Sequence, residues 1–209
     1  MLLVTAEFCP FSQRCILALT AKGLLFEILE MDLDQKSQFP ELLSPYDRVP
    51  VLKHDDETIY ESSVINEYLE DAFPDPPLLP AEPGRRAAAR FWIDCCNSRF
   101  MPAYFNLLKA PPGDKRNQLK TRLLACLEFI DQELESRYWM GKDIGLVDIT
   151  FYPFFNRFAA IEEFRGIEIP PGLRRLQAWL ETMRAHPLIA TIATPREQVV
   201  ECFRPFYAD

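Results

Sequence analysis

A chain of 209 residues, 48% hydrophobic and 26% charged, is long enough for one or two domains with a real core, and its balance is globular rather than disordered. With 23 Lys and Arg against 31 Asp and Glu, the formal charge of −8 excludes a general nucleic-acid binder, which needs a basic patch, but leaves room for small anionic ligands. No run approaches ~18 consecutive apolar residues, so no membrane-spanning helix is expected, and Leu2-Leu3-Val4 followed by Glu7 lacks the features of a secretory leader.

The first part of the chain alternates strand-like and helix-like runs. Leu2 to Thr5 reads as a short apolar strand. Pro10 to Lys22 reads as a helix, with Pro10 suited to the first turn, Gly23 to the stop, and Cys15, Ile16, Ala18 and Leu19 on one face. Leu25 to Met31 is a second strand with Phe26, Ile28 and Leu29 expected to be buried, and Lys36 to Leu43 a short helix. Val51 to Lys53 and Thr58 to Tyr60, joined at Asp55-Asp56, form a hairpin. Ser62 or Ser63 caps a helix running to about Ala72, which completes the order βαβαββα.

Prolines at positions 74, 76, 77, 80 and 83 then mark a linker, giving domains 1–75 and 84–209 around a connection at 76–83. Everything beyond reads as helix: Gly84 to Leu108, Asp114 to Arg137, an unusually apolar and therefore central Val147 to Glu163 kinked at Pro153, Gly172 to Ala185, and Leu188 onward. The fold class expected is α/β plus all-α.

Six cysteines, Cys9, Cys15, Cys95, Cys96, Cys126 and Cys202, form no CxxC pair or zinc pattern, and only His54 and His186 add imidazole. No metal is expected, and reduced thiols in the cytoplasm are the economical reading. Chemistry concentrates at Cys9-Pro10-Phe11-Ser12-Gln13-Arg14, where Cys9 ends a strand–turn and Pro10 starts a helix. That places the sulfur at the N-cap, where first-turn amides, including that of Ser12, point at it and the helix dipole favours thiolate. An arbitrary cysteine is more often an inert packing residue, but the strand–Cys-Pro–helix context reverses that preference in favour of a nucleophile. Ser12 stands where a second cysteine would be needed, so a mixed disulfide with an external thiol is expected rather than an internal dithiol cycle. Arg48-Val49-Pro50-Val51 precedes a strand, where a cis-proline frees the Val49 backbone for an extended peptide-like ligand, or is an ordinary turn. Glu61-Ser62-Ser63 opens a helix that holds a carboxylate or is simply capped.

In this order and at this spacing, the three segments resemble the cytosolic glutathione transferase family, and the likeness covers nearly the whole chain. The Cys9 to Arg14 run is similar to the cysteine-type branches: omega, lambda, dehydroascorbate reductases and chloride intracellular channel proteins. Gly145-Leu146-Val147-Asp148-Ile149 resembles the capping box and hydrophobic staple of the family's second domain, with Gly145 in place of the usual Ser or Thr, so that Asp148 alone reaches back to the cap amide. The resemblance implies a thioredoxin-like domain followed by an all-helical one, with glutathione as co-substrate. It implies Cys9 as catalytic, Val49 beside cis-Pro50 pairing with the cysteinyl backbone, Glu61 and Ser62 holding the γ-glutamyl end, Lys36 near the glycyl carboxylate, and Phe11 lining the ligand. It also implies a homodimer.

A second-substrate pocket is expected from Phe91, Trp92, Tyr104 and Tyr152, with the tail residues Phe203, Phe206 and Tyr207 as further candidates. The activity expected is a thiol transferase or reductase acting through a Cys9–glutathione mixed disulfide. The alternatives are conventional glutathione conjugation, a non-enzymatic adaptor similar to the stringent-starvation proteins, and a membrane-inserting relative. Lys22 and Gly23 argue against the last, because they interrupt the segment that would have to span.

Overall fold

The computed structural model describes residues 1–32 and 44–208, so Lys36 and the helix expected over Lys36 to Leu43 lie outside the described residues. The chain divides into two compact units, Met1–Leu79 and Pro80–Asp209.

The first unit carries strands β1 (Leu2–Thr5), β2 (Glu27–Glu30), β3 (Val51–His54) and β4 (Glu57–Tyr60), with helices α1 (Pro10–Ala21) and α2 (Ser62–Ala72). The sheet order is β2-β1-β3-β4. β1 pairs parallel with β2, joined by the α1 crossover, and antiparallel with β3, while β3 and β4 form the expected hairpin. β1 and β3 are central, and Leu3, Val4, Val51 and Leu52 are wholly buried.

Two details differ from expectation. β2 is an edge strand packed from one side only, so Ile28 and Leu29 are 51% and 36% exposed rather than buried, and Phe26 is half-buried. On α1, Leu17 is buried where Ile16 was expected to be, and Ser12, Gln13 and Arg14 are buried as well, so the helix has packing partners around most of its girth.

The second unit is helical: α3 (Pro83–Cys95), α4 (Met101–Lys109), α5 (Asp114–Glu133), α6 (Leu146–Asn156), α7 (Phe158–Arg165), α8 (Arg174–Ala185), α9 (Pro187–Ala190) and α10 (Arg196–Tyr207). α6 is central, with every residue from Leu146 to Phe155 buried, and it packs against α3, α7 and α8.

Two helices expected to be single are subdivided. Between α3 and α4 the chain forms a π-helical turn over Cys96–Phe100. Pro102 has no amide to offer the Ser98 carbonyl, and widening the turn accommodates its ring. α6 continues through Pro153, and the single helix expected there is instead divided at Arg157, whose amide donates to the Phe154 carbonyl. The Pro153 carbonyl, left without its helical donor, instead accepts from Arg157 Nη1 at 2.9 Å.

Asp148 closes the start of α6. Its Oδ2 accepts from the Gly145 amide at 3.0 Å, as the motif predicts. Its Oδ1 accepts from the Trp139 amide at 2.9 Å and from Trp179 Nε1 at 2.7 Å. In the first unit, Lys22 and Glu70 form an ion pair with side chains 0% and 2% exposed. Lys22 Nζ also donates to the carbonyls of Phe73 and Pro76, while Glu70 accepts the amides of Leu78 and Leu79. This network ties the proline-rich stretch to the ends of both helices.

Candidate active site

Cys9 occupies the N-cap of α1 in extended conformation, and Pro10 follows as the first helical residue. The Ser12 amide donates to Cys9 Sγ at 3.5 Å, and the Gln13 amide to the Cys9 carbonyl at 3.1 Å. A helix N-terminus presents unpaired N–H groups, and the Ser12 amide is the one turned towards the sulfur. Ser12 Oγ is buried without a hydrogen-bond partner.

Four of the other five thiols are set apart by burial or by a hydrogen bond. Burial pushes Cys15 well up, and its Sγ donates to the Ser62 carbonyl at 3.9 Å. Burial also pushes Cys95 and Cys126 up, and Cys96 Sγ donates to the Thr150 carbonyl at 3.7 Å. All six cysteines are free thiols.

The structure brings Val49 to Cys9. Cys9 and Tyr60 pack against a small core of Val4, Ala6, Met31, Val49 and Val51. The Val49-Pro50 peptide bond is cis. Glu61 caps α2 at φ +66° and ψ 123°, outside the usual regions for a residue with a side chain, and its own side chain is exposed. Ser62 behind it is buried, and its Oγ accepts from Arg14 Nη1 at 3.4 Å. Phe11 is half-buried, with the Arg14 guanidinium 5.4 Å from its ring centre.

Arg14 thus links Phe11 on α1 to the start of α2. Its one signal was a charge inside a helix whose other faces are apolar, and buried arginines are too rare for that to decide anything. Among the described residues, no cluster of His, Cys, Asp and Glu could hold a metal ion, and no helix is long and apolar enough to cross a membrane.

The second-substrate candidates do not form one wall. Phe91 is exposed on α3. Trp92 is buried against Phe129 and Trp139. Tyr104 is fully buried, with its hydroxyl donating to the Arg157 carbonyl at 2.7 Å, so it is a core residue rather than the pocket wall expected. Tyr152 lines a cavity of about 340 Å³ that includes none of the other three. In the tail, Phe203 is buried and Phe206 exposed.

A thioredoxin-like sheet with a cysteine at its first helix cap, followed by an all-helical unit, defines the class, and the similarity to known proteins names the family. Residues 3–77 match the model of the glutathione S-transferase N-terminal domain, and residues 99–182 that of the C-terminal domain. The chain belongs to the glutathione S-transferase family. It is 32% identical over 200 residues to glutathione S-transferase U1 of Arabidopsis thaliana, covering 92% of this chain and 88% of that protein. Against glutathione S-transferase omega-1 of Sus scrofa the figures are 28% over 190 residues, covering 89% and 77%. Among solved structures, rice GST1 in complex with glutathione superposes with a TM-score of 0.85 at 28% identity, covering 96% of this chain and 93% of that one. Tau-class and omega-class proteins thus both appear among its relatives.

Proposed function

We propose that this glutathione transferase is of the cysteine type and acts as a glutathione-dependent thiol transferase. The observation that carries the reading is the Ser12 amide aimed at Cys9 Sγ at the N-terminus of α1, beside Val49 and cis-Pro50. Glutathione binds in extended form. Its cysteinyl backbone pairs with Val49, its γ-glutamyl end meets the Glu61 carboxylate and the free amides at the start of α2, Phe11 flanks it, and Lys36 serves the glycyl carboxylate.

The Cys9 thiolate attacks a disulfide of the form RS–SG. A Cys9–glutathione bond forms, and RS⁻ leaves and takes up a proton. A second glutathione thiolate then attacks the glutathione sulfur of the mixed disulfide, giving oxidised glutathione and regenerating the Cys9 thiolate. The reaction belongs to a reducing compartment such as the cytoplasm, with a homodimer as the working unit.

The test is incubation with oxidised glutathione followed by peptide mass analysis. The expected result is one adduct, on Cys9, reversed by reduced glutathione. No adduct on Cys9, or equal labelling of all accessible cysteines, overturns the mechanism. Conventional conjugation is the second reading, favoured by the tau-class relatives. It predicts turnover with an aryl halide and glutathione that exceeds thiol transfer.

A further inference from the structure

Within the helical unit, α3 and α5 meet through aromatic rings: Trp92 and Phe129 lie with their centroids 5.4 Å apart. One turn on along α3 is Cys95, and one turn back along α5 is Cys126, so the two thiols follow the same seam. Both line a single cavity of about 160 Å³, together with Arg99, Phe100, Phe129 and Ile130. Arg99 and Phe100 come from the π-helical turn that follows α3, a kind of widening that helices often carry at functional sites.

The two thiols differ in access. Cys95 is 5% exposed, whereas Cys126 is half-buried. They lie near enough to sense each other's charge: a Cys126 thiolate pushes the Cys95 thiol up, while the Arg99 guanidinium pulls both down against burial. Cys96, next in the chain, is committed to another neighbour, because its Sγ donates to the Thr150 carbonyl on α6. Cys95 and Cys126 are both free thiols, and the cavity gives their side chains room to turn towards each other. One thiol within reach of solvent and a second behind it is the arrangement of an oxidisable cysteine with a resolving partner. Burial keeps both largely protonated, so closure of the pair needs an excess of oxidant.

We propose that Cys95 and Cys126 are a modification site for hydroperoxides, a pair that closes reversibly into a disulfide between α3 and α5. With hydrogen peroxide, the Cys126 thiolate attacks one oxygen, the O–O bond breaks, hydroxide leaves and takes up a proton as water, and Cys126 becomes a sulfenic acid. Cys95 then gives up its proton, and its thiolate attacks the Cys126 sulfur. An S–S bond forms, the S–O bond breaks, and the departing hydroxide takes up that proton as a second water. The pair loses two electrons and the peroxide gains them. Two glutathione thiols restore the dithiol by exchange and leave as oxidised glutathione. The site does not involve Cys9, so it stands whether or not Cys9 carries thiol transfer.

The test exposes the full chain and its Cys9→Ala variant to hydrogen peroxide in about tenfold excess, unfolds each in urea with iodoacetamide, and digests with trypsin without reductant. The expected product is a link between the peptides 91–99 and 123–137 in which Cys96 is alkylated. It is expected equally in both proteins and is removed by reduced glutathione. In Cys9→Ala the treatment is expected to consume two thiols and to raise the urea midpoint, because the new link constrains the unfolded chain. Cys126→Ser, at a half-buried position, is expected to lose both the link and the shift. Irreversible oxidation of either thiol without a link, a link made through Cys96, a link that disappears with Cys9, or a midpoint shift that persists in Cys126→Ser overturns the inference.

Discussion

Replacing Cys9 by Ala removes one sulfur from the N-cap of α1 and leaves the Ser12 amide without its acceptor. The cap bond is weak and partly exposed, so Cys9→Ala is expected to lower stability by no more than about 1 kcal/mol while reducing thiol transfer at least ~100-fold. A coupled reductase assay reads the activity and urea denaturation the stability. Retained turnover would mean that another group carries the reaction. Glu61 poses the opposite trade. Its φ of +66° strains a residue with a Cβ, and such strain persists where a ligand contact needs the geometry. Glu61→Gly is therefore expected to raise stability by about 1 kcal/mol and to weaken glutathione binding about tenfold. A drop in stability would show that the Glu61 side chain holds the turn. Cys9 and Glu61 were legible because each sits where a strand-like run meets a helix start, a boundary that sequence marks with Pro or Ser. Arg14 was not, because its burial depends on Phe11 and on Ser62, which is 48 positions away in the chain.

The Lys22–Glu70 pair joins the end of α1 to α2 and to the chain leaving α2. Taking one partner away strands a charge in a site with no water to solvate it. Lys22→Met and Glu70→Gln are each expected to cost roughly 3–5 kcal/mol, and the double variant less than their sum. Denaturant titration of all four proteins measures the coupling, and additivity would show that the pair contributes nothing as a pair. Lys22→Met also frees the carbonyls of Phe73 and Pro76, so faster proteolysis within residues 73–79 is expected. At this scale the sequence was informative about which elements exist and less so about their surroundings. The order from β1 to α2 followed from alternation and turn residues. The exposure of Ile28 and Leu29 did not, because apolar side chains mark a strand without saying whether it lies at the edge of its sheet. Pro153 announced a defect in the long central helix, but α6 runs through it and the division falls at Arg157, whose guanidinium takes up the Pro153 carbonyl.

At the scale of the whole molecule, Trp92, Trp139 and Trp179 all lie in the unit Pro80–Asp209, so tryptophan fluorescence follows the unfolding of that unit. At its centre, burial pushes the Asp148 carboxyl from 3.8 up to about 6, against the pull of the amides of Trp139 and Gly145 and the Trp179 indole. A carboxyl whose folded value lies above its unfolded value favours the fold when protonated. Its contribution is full below about pH 3.8, declines as the pH rises towards about 6, and is constant above that. The shift corresponds to about 3 kcal/mol. Asp148→Asn isolates this effect, because an amide does not titrate. Its single oxygen can keep the Trp139 and Trp179 bonds, but its NH₂ faces the Gly145 amide, donor against donor. The variant therefore starts from one lost bond at acid pH, and the wild-type advantage is expected to shrink by about 2 kcal/mol between pH 4 and 7. The self-repulsion that comes with a formal charge of −8 is nearly common to both proteins, so the difference between their urea curves cancels most of it. If the advantage instead holds or grows as pH rises, the three N–H donors outweigh burial, and the carboxylate is the form the fold was built around.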